Sequence, residues 1–227
     1  MFDNYSGYDS VYSDREREEK LMQDKKERCH KNGTLYFVYF WLSIFGAPII
    51  ILLAVVGAVF AVLLRSTGAV NFVFGVIGAL AIAGAVAQAV ILFIIGRDES
   101  CFKAAGVAYV ILTLLDIGAN FVPEGWLQSG CKLLAAVAGL FYLFEFINGS
   151  SYILAGVDNY VAGSWETIKK VYIYLILGIV TIVVFMIVPV TRAIALIALF
   201  ILTLGAFGVI IWEYVLMFKT ARALKNF

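Results

Sequence analysis

The chain has 227 residues, 63% of them hydrophobic and only 15% charged, with a mean hydropathy of +0.94. Soluble domains run at roughly 45–50% apolar and about 25% charged, so a soluble core of this length cannot absorb the surplus. A formal net charge of +1 leaves no dense basic face for neutralising phosphates, and no nucleic-acid partner is expected.

Residues 1–36 read as a polar arm. Its tip, to about Asp14, is mostly Tyr, Ser, Asp, Gly and Asn, a composition that buries too little apolar area to offset ordering entropy and favours disorder. Tyr5, Tyr8 and Tyr12 beside Asp3, Asp9 and Asp14 read either as a solvated tail or as a docking patch for a cytoplasmic protein partner. From Arg15 to Lys31 opposite charges recur at helical spacing, as in Glu16/Lys20, Asp24/Arg28 and Glu27/Lys31, which predicts a short solvated helix. Asn32-Gly33 then reads as its left-handed cap.

Six apolar blocks follow, at about 37–64, 72–95, 103–122, 132–150, 171–190 and 193–218. Each is long enough to cross the roughly 30 Å hydrocarbon core as a helix. The first contains Gly46 and Pro48 and reads as one tilted or kinked helix. The expected fold is an all-α integral membrane bundle of about six transmembrane helices in the lipid bilayer. It divides into the arm, a transmembrane domain over 37–218 and a basic cytoplasmic tail over 219–227.

Orientation follows from the excess of Lys and Arg in short cytoplasmic loops. With the N-terminus inside, fourteen of the 17 basic residues fall on the cytoplasmic side, leaving Arg65, Lys132 and Arg192 outside. The prediction is a multi-pass protein of the cell membrane with both termini cytoplasmic. The order of blocks is compatible with three outward helical hairpins, and Gln88, Glu145 and Glu213 recur at similar places in the even-numbered blocks.

In the second block Gly75, Ala79, Ala83 and Ala87 form a ridge of small residues, the surface on which another helix backbone approaches closely. Ala135 and Gly139 repeat that spacing in the fourth.

Ionisable groups inside spans are the functional lead, since a carboxylate at mid-membrane costs about 2.5–3.5 kcal/mol on insertion scales. Asp116 with Asn120 and Thr113 makes one polar face; Glu145 with Asn148, Gly149 and Tyr152 makes another, placed near mid-membrane; Glu213, close to Lys219, reads as the weakest and most interfacial. Such acids either exchange a proton in a cavity or fix helix register through hydrogen bonds. The only histidine, His30, is in the arm, which excludes a His-dependent serine protease or zincin within the membrane. Asp116 and Asp158 fall on opposite sides, so they cannot share a proton as an aspartyl dyad does. No catalytic motif, metal site or cofactor is expected, and the three cysteines read as reduced thiols. The fourth loop, 155–170, carries Tyr160, Trp165 and Lys169-Lys170 and reads as an interfacial helix with aromatic anchors at headgroup level.

The function expected is a small-solute or proton-coupled transport component. In span count and size the chain resembles the small substrate-binding subunits of vitamin uptake systems, without a shared motif. The competing reading is a non-transporting membrane scaffold that recruits cytoplasmic partners through its arm.

Overall fold

The computed structural model describes residues 6–64, 67–187 and 191–227. Every element longer than a turn among them is an α-helix: α1 (Ser6–Leu64), α2 (Thr67–Ile95), α3 (Ser100–Ala119), α4 (Trp126–Ile153), α5 (Asn159–Ile187) and α6 (Arg192–Asn226). Gly75–Ile95 within α2, and α3, α4, α5 and α6 in full, are long and apolar enough to cross a bilayer. The chain is a multi-pass membrane protein. Each helix packs on the next, and α1 also packs on α6, so the six close into a ring in which α3 and α4 share the most extensive contact.

The arm departs from the sequence expectation. Met1 to Tyr5 lie outside the described residues, but from Ser6 the backbone is helical where composition favours a disordered tip. The ladder of opposite charges beyond Arg15 supplies the helical support from which that end extends. Asn32-Gly33 does not cap anything: α1 passes through it, and through Gly46 and Pro48, as one helix of 59 residues. Both Asn32 and Gly33 are buried. Asn32 Nδ2 donates to Asp98 Oδ2 at 2.7 Å, and a Cβ on Gly33 would lie 2.8 Å from the backbone nitrogen of Lys225 and 3.0 Å from the carbonyl of Ala221. The glycine is present for its missing side chain, which lets α1 and α6 cross nearly backbone to backbone.

The fourth loop is also shorter than its sequence implies. Gly156 turns the chain with φ of 74°, and Asp158 Oδ1 accepts the N–H groups of Tyr160 and Val161 at 3.1 and 3.0 Å, capping the first turn of α5. Residues 159–170 are therefore the opening turns of α5 rather than a separate interfacial helix. Trp165 is fully buried and its Nε1 donates to Thr220 Oγ1 of α6 at 2.8 Å, while Tyr160 stays exposed.

The continuous core lies towards one end of the ring, where the α2–α3 and α4–α5 connections and the last turns of α6 converge on residues 29–40 of α1. We refer to it as the closed end. Two more glycines permit close approach there: a Cβ on Gly96 would lie 2.6 Å from the backbone nitrogen of Lys103, and one on Gly149 would lie 2.9 Å from the Phe102 ring. At the opposite end large apolar side chains such as Leu114, Ile187, Ile194 and Phe200 point outward, as lipid-facing residues do.

Among the described residues the small-residue ridge of α2 has no close packing partner. Gly75, Ala79 and Ala83 are exposed and Ala87 is half-buried, and nothing lies within 4 Å of a Cβ built on Gly75, Gly78 or Gly84. α2 packs instead through Ala89, Ile91, Leu92 and Ile95, nearer the closed end. In α4 the small pair does pack, with Ala135 buried and Gly139 facing Leu112 of α3.

These contacts separate two kinds of glycine. Gly33→Ala and Gly96→Ala are expected to destabilise the protein by roughly 1–3 kcal/mol through overpacking against backbone. Gly78→Ala and Gly84→Ala should be neutral or stabilising, because alanine is the better helix former, and Ala83→Leu should be tolerated. Thermal unfolding in detergent measures the contrast; an equal effect at all five positions would refute it.

Candidate functional site

Polar side chains from all six helices gather in one zone of the interior. On α1, Tyr39 shares a hydrogen bond through its hydroxyl with Tyr142 of α4, and Ser43 Oγ donates to the Tyr39 carbonyl at 2.9 Å. Gln88 of α2 accepts from the Tyr109 hydroxyl of α3 through Oε1 and donates through Nε2 to Ser43 Oγ at 3.4 Å. Tyr214 of α6 donates to the Ser43 carbonyl at 3.4 Å. Tyr172 of α5 donates to Glu213 Oε2 of α6 at 2.5 Å. The rings of Tyr109 and Tyr142 are 5.3 Å apart. Tyr109 follows the start of α3 by nine residues, about 13 Å along that helix at 1.5 Å per residue.

Below the layer, towards the closed end, four aromatic residues fill the interior. Tyr36 stacks on Phe146 at 5.7 Å and meets Phe102 edge-on at 6.0 Å, and Phe146 meets Trp165 edge-on at 5.9 Å. All four are no more than 1% exposed. The Tyr36 hydroxyl is satisfied by Ser150 Oγ at 2.5 Å, and Ser150 in turn donates to the Phe146 carbonyl at 2.7 Å.

The residues singled out in the sequence divide between this layer and other places. Gln88 and Glu213 belong to it. Glu213, read as interfacial, is half-buried and bonded to tyrosine. Glu145, read as the deepest charge, is half-buried on α4, eight residues before the helix ends at Ile153. Its expected companions point elsewhere: Asn148 Oδ1 accepts from Lys169 Nζ at 2.8 Å, Gly149 meets Phe102, and Tyr152 is exposed. Asp116 and Asn120 are both exposed near the opposite end, linked by Asn120 Nδ2 donating to the Asp116 carbonyl at 2.9 Å. They take no part in the layer.

Sequence reasoning missed Ser43 and the tyrosines at 39, 109, 142 and 172. The available signal was position: tyrosines usually mark the two membrane interfaces, whereas Tyr109 and Tyr142 stand well inside their apolar blocks. Outside the spans, the Cys29 thiol is buried, and burial raises its pKa although the Lys25 charge partly opposes the shift. It is a neutral thiol at neutral pH. No group of three or more metal-ligating side chains occurs among the described residues.

Comparison with protein-family models, with curated proteins and with solved structures gives no match for this chain. What the layer can do therefore rests on its chemistry: hydroxyls and one amide that donate and accept hydrogen bonds, and one carboxyl whose partner is a phenol.

Removing either member of the Tyr39–Tyr142 pair leaves the other hydroxyl buried without its partner, which costs roughly 1–3 kcal/mol. Tyr39→Phe and Tyr142→Phe are each expected to lower the detergent melting temperature, and the double variant should cost clearly less than the sum of the two. Strict additivity would show that the hydroxyls are not coupled.

Proposed function

We propose that this protein is a small-solute transport component of the cell membrane, with six spans, both termini cytoplasmic and a proton taken up and released at Glu213. The observation that carries this reading is the Glu213–Tyr172 pair inside a layer to which all six helices contribute. A carboxyl in a span usually meets the bundle interior or a water-filled path. Here its hydrogen-bond partner is a neutral hydroxyl, which leaves its charge free to change with protonation. The surrounding hydroxyls and amide suit a small polar solute that exchanges hydrogen bonds with them. Residues 37–64, the apolar half of α1, supply the sixth span, and the Lys and Arg distribution supports the inward termini.

The scaffold reading has one observation in its favour. Apart from Cys29, the side chains of α1 from Glu16 to Lys31 are exposed, Leu21 and Met22 included, so the arm offers a long charged helix to a cytoplasmic partner. In that reading the internal layer serves only to fix helix packing and register.

Glu213→Gln keeps the shape and polarity of the side chain but cannot exchange a proton. Reconstituted into vesicles with an internal pH dye and screened against a panel of small metabolites, the wild type is expected to couple uptake of one of them to proton movement. The variant should fold, bind and fail to couple. An E213Q protein with unchanged coupling, or a wild-type carboxyl without a pH-dependent infrared band, refutes the proton role.

Topology is tested separately in a Cys131→Ala background. Cysteines placed at Ser66 and Ser129 should react with an impermeant thiol reagent in whole cells, while one at Ser164 should not. Labelling at Ser164 overturns the inward orientation.

A further inference from the structure

The last turns of α4 and the opening turns of α5 leave a groove of about 330 Å³ between them, apart from the polar layer. Its chemistry is graded. Ile147 and Ile173 line it furthest along the two helices from the α4–α5 connection; Tyr152, Glu166, Lys169 and Lys170 line it nearer that connection. The two walls are tied by Ser151 Oγ of α4 donating to the Ala162 carbonyl of α5 at 3.3 Å. Lys169 is half-buried and held by Asn148 Oδ1 at 2.8 Å, so its ammonium is fixed in the groove with further N–H donors to offer. Lys170 is exposed beside it, as is the Tyr152 ring.

We propose that this groove binds the phosphodiester headgroup of an anionic phospholipid. Basic grooves between spanning helices at the membrane surface hold such headgroups, and three features here favour the lipid over free phosphate. The isoleucines continue the groove inward, where the glycerol and upper acyl chain of a lipid would lie. Tyr152 has the amphipathic ring that suits headgroup depth. Glu166, one turn from both lysines on α5, offsets one of their two charges, and the remaining single positive charge matches a phosphodiester monoanion better than a phosphate approaching two negative charges. The site is independent of the transport reading and rests only on the chain lying in a bilayer.

The test is native mass spectrometry of protein released from vesicles of equal phosphatidylglycerol and phosphatidylcholine, with Lys169→Gln/Lys170→Gln compared against Lys219→Gln/Arg222→Gln, a basic pair elsewhere at the same end. Wild type should retain phosphatidylglycerol in preference to phosphatidylcholine. The groove variant should lose that retention by about fivefold per lysine, and the control pair should not. Lys170→Gln alone, at an exposed side chain, provides the reading if the double variant folds poorly, and Lys169→Arg/Lys170→Arg should restore retention. No headgroup preference, or equal losses in groove and control variants, overturns the proposal. Displacement of the lipid by millimolar inorganic phosphate would also overturn it, by making the groove a site for the free anion.

Discussion

A hydroxyl or amide placed inside a bilayer has no water to bond to, so it must find its partner on its own helix or on another. That constraint sets the arrangement of this protein. Ser43 uses both routes, donating to its own helix and accepting from Gln88, while its carbonyl receives Tyr214. Tyr109 and Tyr172 each reach a neighbouring helix, and Tyr39 and Tyr142 meet across the ring. Successive residues of a helix are turned by about 100°, so a one-residue slip in any of the six would aim its polar group away from its partner. The hydrogen bonds define the register of the ring, which apolar packing alone would leave loosely specified because lipid tails are as apolar as leucine.

The membrane class and the placement of the helices were legible from apolar block length, because bilayer thickness imposes a minimum that few other structures satisfy. Gln88 and Glu213 were legible as polar residues in apolar surroundings. Tyrosine was not, since it counts as aromatic and apolar until its hydroxyl is placed. Helix ends were less legible, because apolar blocks mark hydrophobicity rather than where a helix stops: α4 continues to Ile153 and α3 already begins at Ser100. Gly33 shows a different limit. After a charged helix, a cap and a packing notch have the same local sequence, and the decision rests with residues 221–225, nearly two hundred positions away.

The two ends of the ring differ in mechanical character. At the closed end, Gly33 and Gly96 bring backbone against backbone, and four buried aromatic side chains fill the interior between Tyr36 and Trp165. Densely packed interiors resist deformation and transmit displacement. Towards the other end the helices of the ring present apolar side chains outward, and among the described residues nothing lies within 4 Å of a Cβ built on Gly75, Gly78 or Gly84. The polar layer lies between the two regimes.

The unbroken course of α1 has a mechanical consequence. From Gly33 outward to Ser6 the helix extends about 40 Å at 1.5 Å per residue, and its crossing with α6 at Gly33 acts as a fulcrum. A tilt of the inner segment by about 5° displaces the far end of the arm by roughly 3.5 Å, comparable to the width of a hydrogen-bonding contact. A small rearrangement around Tyr39 and Ser43, on the same rigid rod, is thereby magnified into a displacement that a molecule outside the bilayer could sense.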